Sequence, residues 1–200
     1  ELADAYVGLA HVPYAHGDFA AAIAVLEEGA GRLPPDAHVA RARIGSQVAW
    51  SLARVRRLAE ALPEAERAAN VLLDHGDRPG SMRALDILGM VLMYVGRRDE
   101  AIGRLEASLA LALELPDPEW EMRVRHHVGT AYVRGGEAAR GRPHLERGVE
   151  LAVLIGDRYG EAVGHWAIAE MEHRLGDYGA AAIHRRREIK LLEELGATCE

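Results

Sequence analysis

The chain has 200 residues, of which 49% are hydrophobic and 28% are charged, and its formal net charge is −7. This composition is typical of a folded chain long enough for one large domain or a short repeat array, and nothing in it suggests intrinsic disorder. The negative charge argues against a general nucleic-acid binder, because such proteins present a positive surface to phosphates. No apolar run reaches the length of about 18 residues that a membrane span requires. We therefore expect no direct nucleic-acid binding and no membrane partner.

The ends of the chain give two further expectations. The only cysteine is Cys199, so neither an internal disulfide nor a thiolate zinc cluster is available, and a reducing, cytoplasmic location is the default. The chain begins at Glu1 without an initiator methionine or a signal peptide. We interpret it as a piece of a longer chain.

One kind of turn recurs along the sequence at fixed intervals. Successive aspartates in this turn are 41, 40 and 40 residues apart, namely Asp36, Asp77, Asp117 and Asp157. A second series of turns, half a period out of phase, contains Gly17, Gly96, Gly136 and Gly176. Because Gly17 and Gly96 are 79 residues apart, one more turn is expected between them, with Arg56 or Arg57 in the place of glycine.

The segments between turns have apolar residues at helical spacing, as in Leu85, Leu88 and Leu92. Each repeat is therefore predicted to be a helix, a turn and a second helix. Gly76 and Gly156 are expected to end helices in the left-handed conformation, Pro116 to stop one, and the aspartate that follows each of them to cap the next helix.

A single helical hairpin cannot bury its apolar face, so neighbouring repeats must stack, which explains a fixed period. We predict one repeat domain over 1–200, with repeats at about 1–35, 36–76, 77–116, 117–156 and 157–196. The apolar residues of the last helix, Ile183, Leu191, Leu192 and Leu195, indicate that another repeat follows in the native protein.

The repeats resemble tetratricopeptide repeats (TPRs). The third repeat has the Leu-Gly pair of that family at Leu88-Gly89, its turn glycine at Gly96, its alanine at Ala101 and its large apolar residue at Leu105. The other repeats match at Leu9-Ala10, Gly17, Ala22 and Leu26; at Val48-Ala49, Leu52, Ala61, Ala65 and Ala68; at Val128-Gly129, Tyr132, Gly136, Gly141 and Leu145; and at Ile168-Ala169, Gly176 and Ala181. The resemblance implies an all-α, right-handed superhelical solenoid of about five helix-turn-helix repeats.

The sequence departs from that family in three respects. The period of about 40 exceeds the usual 34 of the family, the proline that commonly ends the second helix is missing, and Arg185 occupies an apolar position. The long period is similar to that of helical-repeat sensor regions in bacterial ATPase-type regulators, of peptide-responsive quorum-sensing regulators and of kinesin light chains. In the second repeat Pro63 falls where a helix should continue. Because proline is tolerated in a first helical turn, we expect the second helix to start near Pro63 and the first to overrun.

No catalytic, cofactor or metal motif is evident. The chain lacks a GxxxxGK[ST] phosphate loop, and its few serines, its one lysine and its terminal cysteine have no recognisable base beside them. Glu170 and His173 share one helical face, but a carboxylate-bridged metal site needs a second such motif. The run His184-Arg185-Arg186-Arg187 is followed by glutamates on the same helix, which favours a solvated, self-neutralising face. We expect no enzyme activity, no cofactor and no metal.

In the TPR family the first helix of each repeat lines a concave groove, and we transfer its ligand-contacting positions by the Leu-Gly register. This step gives the following ligand-binding candidates: Arg43, Trp50 and Arg54 in the second repeat; Arg83, Asp86, Met90 and Tyr94 in the third; Arg123, His126, Thr130 and Arg134 in the fourth; Trp166, Glu170, His173 and Arg174 in the fifth. The set has six arginines, so it predicts a basic groove in an acidic chain, suited to carboxylates.

The leading functional hypothesis is a non-enzymatic protein- or peptide-binding TPR domain. It would be the sensor or interaction module of a bacterial signalling or transcription regulator, with an acidic peptide or partner in the basic groove. The first alternative is a passive scaffold that mediates self-assembly. The second is a peptide-pheromone receptor of the quorum-sensing type. Since arginines are common on solvated helix faces, the groove also has a purely structural interpretation.

Overall fold

The structure is a computed structural model that describes residues 1–196; Cys199 lies outside the described residues. Ten α-helices and no strands occupy this part of the chain. Their bounds are α1 Leu2–Ala15, α2 Phe19–Arg32, α3 His38–Arg54, α4 Leu58–Asp74, α5 Arg78–Val95, α6 Arg98–Glu114, α7 Pro118–Arg134, α8 Ala138–Ile155, α9 Arg158–Leu175 and α10 Tyr178–Glu194. The helices are packed in consecutive pairs, which confirms the all-α helical-repeat fold.

The chain divides into two compact units, residues 1–111 and 112–200, and the boundary lies in the last turn of α6. In the first unit α1, α3 and α5 are neighbours, and α2 and α4 pack between successive members of this row. In the second unit α7 and α9 are neighbours, with α8 packed against both and α10 against α9. The single repeat domain over 1–200 and the limits of its repeats stay predictions.

The turns between helices have the conformations that the sequence predicts. Gly76 and Gly156 have φ angles of 67° and 74°, in the left-handed region where glycine has no steric penalty. The expected arginine substitute is Arg56, the one described non-glycine residue with positive φ, at 66°. A side chain there costs about 1 kcal/mol relative to glycine, so this turn is strained where the others are relaxed.

The predicted aspartate caps are confirmed at three turns. A carboxylate oxygen accepts a hydrogen bond from the backbone N–H three residues later at Asp77, Asp117 and Asp157, with distances of 3.1, 3.0 and 2.8 Å. Each cap satisfies one amide that the first helical turn leaves unpaired. At the first position of the series, the N-cap of α3 is Ala37 and not Asp36, and its side chain makes no capping hydrogen bond.

The prediction for Pro63 was wrong. The helix α4 begins at Leu58, five residues before the proline, and α3 ends at Arg54 without overrunning. The left-handed Arg56 closes α3 as a glycine would, which places the turn earlier than the proline suggests. Pro63 removes one helical hydrogen bond, but its side chain is exposed and so is Ala59, whose carbonyl water can satisfy.

Small residues set the spacing within helix pairs. In the first unit, a Cβ on Gly89 would lie 2.6 Å from Cγ of Leu105. In the second unit, a Cβ on Gly129 would lie 2.6 Å from Cγ of Leu145. Gly89 and Gly129, which stand at the same position of their repeats, therefore let a leucine of the second helix rest directly on the first helix, as close packing requires.

Candidate functional site

Arg43 connects the three first helices of the first unit. Its Nε donates to Oδ2 of Asp77 at 2.7 Å, and its Nη1 lies 3.3 Å from Oδ1 of Asp4. Asp4 belongs to α1, Arg43 to α3, and Asp77 is the N-cap of α5. The arginine that the sequence offers as a ligand contact thus also holds the row of helices together.

The Asp77 carboxyl is held in its charged form. Burial alone would raise its pKa, but hydrogen bonds from Arg43 and from the Gly80 amide, with the charges of Arg43 and Arg83, lower the pKa below its usual value. Asp77 therefore stays ionised through mildly acidic pH, and the ion pair with Arg43 persists there.

A cleft of about 210 Å³ opens on this face of the first unit. Its lining comes from all three first helices and the start of α5: Asp4, Val7, Arg43, Ser46, Gln47, Pro79, Gly80 and Arg83. Two guanidinium groups and one carboxylate line the cleft, and the Asp77 carboxylate bonds to one of those guanidinium groups, so the charges around the cleft balance. Guanidinium groups are of the kind that binds carboxylates.

The same row of helices has an aromatic end, which we define as Phe19, Trp50, Arg54, Arg56 and Tyr94. The Cζ atom of Arg54 lies 4.3 Å from the ring centroid of Phe19 and 5.3 Å from that of Trp50. The rings of Trp50 and Tyr94 are 6.4 Å apart, and Arg56 lies over Tyr94 at 5.8 Å. These are cation–π distances, so Arg54 is packed against rings on its own surface.

The structure brings most of the first-unit candidates together on this face. Arg43 and Arg83 line the cleft, while Trp50, Arg54 and Tyr94 form part of the aromatic end, and Met90 is half-buried. Asp86 is different because it is only 3% exposed. It lies inside the unit, where a ligand on the surface cannot reach its carboxylate.

Sequence reasoning missed Gln47, Phe19 and Arg56 as members of this surface. Gln47 lies four residues after Arg43 on α3, so helical spacing from that arginine would have found it. Arg56 was singled out only for its turn. Phe19 starts α2, and no pattern in the sequence relates it to Arg54, because their contact joins α2 to the end of α3.

In the second unit the exposed candidates are largely paired with neighbours on their own helix. Arg123 is 3.7 Å from Glu119 and lies over the ring of Trp120 at 4.8 Å. Arg174 donates to Glu170 at 2.7 Å, which is an i,i+4 pair. The remaining candidates on α7 and α9 are half-buried or exposed: Thr130, Arg134, Trp166 and His173.

His126 is the exception in this unit, because it is only 4% exposed. Its ring fills a slot between α8 and α9, where a Cβ on Gly148 or on Gly164 would lie 2.5 or 2.7 Å from its Nε2 atom. That nitrogen is buried and has no hydrogen-bond partner. Burial chiefly, together with neighbouring His127 and His165, lowers the pKa of His126 to about 4. The side chain is a neutral packing group and not a surface contact.

The His184–Arg187 run has a structural role. Arg185 pairs with Glu188 at 2.6 Å on the solvated side, as the sequence suggests. Arg187 instead reaches Oε1 of Glu161 on α9 at 2.7 Å, and that glutamate is only 3% exposed. The run therefore fastens α10 to α9.

Two other features of the described residues bear on function. They contain no group of three or more histidine, cysteine, aspartate or glutamate side chains that could hold a metal ion. None of their helices has the length and apolar character needed to cross a bilayer.

The arrangement modifies the basic groove predicted from six arginines. Three of them, Arg43, Arg123 and Arg174, lie within 4 Å of a carboxylate, and Arg54 stacks on two rings. Surface pairs of this kind leave little net positive charge. The basic groove stays a prediction.

No family model and no curated protein matches the chain significantly in sequence. Comparison with solved structures gives many similar chains. BtubC from P. vanneervenii has a TM-score of 0.75 and 17% identity, over 98% of this chain and 81% of that protein. A Rap protein complexed with Competence and Sporulation Factor has a TM-score of 0.84 and 15% identity, over 94% of this chain and 53% of that one.

A third similar structure is the signal-transduction ATPase with numerous domains from Pyrococcus horikoshii, which contains a tetratricopeptide repeat sensor. Its TM-score is 0.77 and its identity 19%, over 96% of this chain and 30% of that protein. At these identities the likeness shows the fold alone. The chain has the TPR-like helical-repeat fold.

Proposed function

We propose that this chain is a protein- or peptide-binding module that takes a carboxylate-bearing segment in the cleft of the first unit. The observation that carries the proposal is the cleft itself, where Arg43 and Arg83 from adjacent first helices face one opening beside Gln47. A guanidinium fork matches a carboxylate in charge and geometry. The carboxylate of this segment belongs to an acidic side chain or to a free C-terminus.

Arg83 is the residue whose replacement tests this site. Arg43 is already held by Asp77 and Asp4, so its first task is to bind the helices together. Arg83 is exposed and lies at the cleft, so a change there alters the charge facing a ligand with little effect on the core. The aromatic end, to which α3 and α5 contribute Trp50 and Tyr94, offers the aromatic and arginine side chains that dominate binding energies at protein interfaces.

The wider setting that we propose is a signalling or transcription regulator of bacterial type. The repeat sensor of the Pyrococcus ATPase supports this setting by its fold. A second candidate is a receptor for a short signalling molecule, which the Rap protein complexed with Competence and Sporulation Factor favours. Both candidates use the chain as the binding part of a larger system.

The test is a titration of the 200-residue chain with acidic peptides in two matched forms, one with a free C-terminus and one amidated, measured by fluorescence anisotropy. We expect Arg83→Glu to weaken binding by about tenfold or more, because it replaces an attraction by a repulsion. Arg98→Glu, an exposed arginine on α6, is the matched control and should leave binding unchanged.

The two peptide forms separate the two carboxylate sources. A preference for the free C-terminus that disappears in Arg83→Glu identifies a terminal carboxylate, while equal binding of both forms identifies acidic side chains. If Arg83→Glu and Arg98→Glu bind like the parent chain, the cleft is not the site.

A further inference from the structure

Two histidines of the second unit face each other across the contact between α9 and α10. The Nδ1 atom of His165 on α9 lies 2.9 Å from the Nδ1 atom of His184 on α10. The ring centroids are 5.1 Å apart, so the two nitrogens lie between the rings. A hydrogen bond at this distance needs one nitrogen that carries a hydrogen and one that offers a lone pair. The bond therefore exists only while at least one of the two rings is neutral.

The second nitrogen of His165 decides which ring donates. Its Nε2 atom lies 3.9 Å from Oε1 of Glu161, whose side chain is only 4% exposed. A nearby carboxylate favours the tautomer that points an N–H group at it. His165 then carries its hydrogen on Nε2 and offers the lone pair of Nδ1. In the bond between the rings, His184 is therefore the donor.

The two steps of proton uptake by this pair have opposite effects on the bond. The first proton binds to Nε2 of His184, which takes no part in the bond between the rings. The Nδ1–H group of His184 still donates, and the bond becomes charge-assisted and stronger. The second proton must bind to Nδ1 of His165, which is the acceptor. Two N–H groups and two positive charges would then face each other, so the bond is lost.

The acidic groups near the pair on its own two helices are already paired. On α9, Glu161 accepts a hydrogen bond from Arg187 of α10 at 2.7 Å. On α10, Glu188 lies one helical turn after His184 and pairs with Arg185 at 2.6 Å. Each carboxylate thus has an arginine partner, and a second proton on the pair gains little attraction from either.

The helices α7 and α8 also pack against α9. The buried residue that α7 places closest to this part of α9 is His126, and its pKa of about 4 keeps it mostly neutral at higher pH. From α8, Arg142 pairs with Glu172, which lies seven residues after His165 on α9. Neither His126 nor Arg142 changes its charge appreciably in the fold between about pH 7 and about pH 5.

These surroundings place the second step below the usual range of a histidine. Burial chiefly, then the charge of His184, lowers the pKa of His165. Glu161 acts in the opposite direction, and Arg187 lowers the pKa again. A lowered pKa means that the contact is most stable above about pH 6.5, the ordinary pKa of a histidine, and weakens as the pH falls below that value.

We propose that this pair makes the contact between α9 and α10 a pH-sensitive joint, which stays closed with one added proton and loosens when both rings are protonated. Two ion pairs, Arg187 with Glu161 and Arg158 with Glu194, also connect these helices, and neither involves a histidine. Acidification therefore loosens α10 near His184 without detaching the helix.

The first test reads the protonation of both rings in the 200-residue chain by nitrogen NMR, which distinguishes the two neutral tautomers from the charged form. At neutral pH we expect a hydrogen on Nε2 of His165 and on Nδ1 of His184. As the pH falls, His184 should become charged before His165. In His184→Gln, His165 should become charged at a higher pH than in the parent chain, because the like charge beside it is gone.

The second test measures amide hydrogen exchange along α10, with rates corrected for the intrinsic effect of pH. From about pH 7 to about pH 5 we expect the amides around His184 to lose protection by about tenfold or more. In His165→Gln and in His184→Gln the loss should stay below about twofold, because one histidine alone has no like charge to face.

Two controls separate the joint from other histidines. His16→Gln alters an exposed histidine of the first unit and should keep the full loss of protection. All chains are also measured with His126→Phe, so that unfolding driven by the buried histidine of α7 does not contribute. Circular dichroism checks that each variant is folded. The two glutamine variants lie on opposite sides of the bond, so either one alone carries the test.

Three results would overturn the proposal. The first is that His165 becomes charged before His184. The second is a loss of protection around His184 that stays below about twofold in the parent chain. The third is a loss in the glutamine variants as large as in the parent chain. None of these results depends on the cleft of the first unit.

Discussion

The two units share one helical-repeat pattern but place ionisable side chains differently. In the described residues of the first unit, Asp86 is the one buried residue with a carboxylate or a basic side chain, and Arg43, which pairs with Asp77, is itself partly exposed. The second unit buries His126, Glu161 and Glu172 at helix interfaces. Arg187 and Arg142 reach the two glutamates at 2.7 and 2.6 Å. At both buried glutamates an arginine of a neighbouring helix extends to the carboxylate.

The largest expected effect is a pH dependence that belongs to the second unit. The His126 pKa is about 4 in the fold and about 6.5 in an unfolded chain. The unfolded chain therefore binds the extra proton first, and stability falls as the pH drops from about 6.5 to about 4, by about 3 kcal/mol in all. Burial also lowers the pKa of His165, which acts in the same direction. Urea unfolding at several pH values measures the slope.

His126→Phe sharpens this comparison. It keeps an aromatic ring in the slot between α8 and α9 but removes the imidazole that takes up a proton. We expect a flatter dependence between pH 6.5 and 5, whatever the absolute stability of the variant. His16→Gln, at an exposed histidine of the first unit, should keep the parent slope. The first-unit carboxyl Asp77 has a lowered pKa, so its contribution is lost only below about pH 4. A parent slope in His126→Phe would remove His126 as the cause.

Breaking the ion pair of a buried glutamate should come next. Arg187→Met leaves Glu161 with Arg158 at 3.3 Å, and we expect a loss of about 2–3 kcal/mol in unfolding free energy. The counterpart in the first unit, Arg43→Met, should cost less, because the amide of Gly80 still donates a hydrogen bond to Asp77. Chemical denaturation followed by circular dichroism compares the two variants. Equal losses would mean that the bond from the Gly80 amide does not reduce the cost of removing the arginine.

Two helix glycines differ in the space around them. Gly148 of the second unit lies against the ring of His126, whereas Gly103 of α6 faces open space. Gly148→Ala would place a Cβ within 2.5 Å of the His126 ring, and we expect a loss of about 2 kcal/mol. Gly103→Ala meets nothing within 4 Å and should stabilise α6 by up to about 1 kcal/mol. Thermal unfolding shows whether each variant is less or more stable than the parent chain. A stabilising Gly148→Ala would show that the slot has room.

The smallest effect concerns the strained turn of the first unit. Arg56→Gly should raise the unfolding free energy by about 0.5–1 kcal/mol, because glycine adopts the left-handed conformation without penalty. Gly136→Arg, at the corresponding turn of the second unit with φ of 85°, should lower it by a similar amount. If Arg56→Gly destabilises the chain instead, the contact of Arg56 with Tyr94 outweighs the strain.

The candidate site was only partly predictable. The Leu-Gly register placed Arg43, Arg83, Trp50 and Tyr94 on one surface, because helical spacing is fixed along each first helix. The register could not show that Arg43 would bond to Asp77, which is 34 residues away. Nor could it show that His126 points into a slot, since the slot is made by two glycines on two other helices.

The sequence alone determined the helix pairs, their turns and most of their caps. These depend on local causes: apolar spacing, a left-handed residue at a known interval, and an aspartate before free amides. Even the left-handed conformation of Arg56, with a φ of 66°, was expected, because the period of the turns puts Arg56 or Arg57 where other repeats have glycine. The tertiary structure decided which side chains became surface and which became core. Ala5, Leu9 and Val12 of α1 match Ala84, Leu88 and Val91 of α5 residue for residue, yet the first three are exposed and the second three are buried. Burial is a property of neighbours, and a single segment of sequence does not contain them.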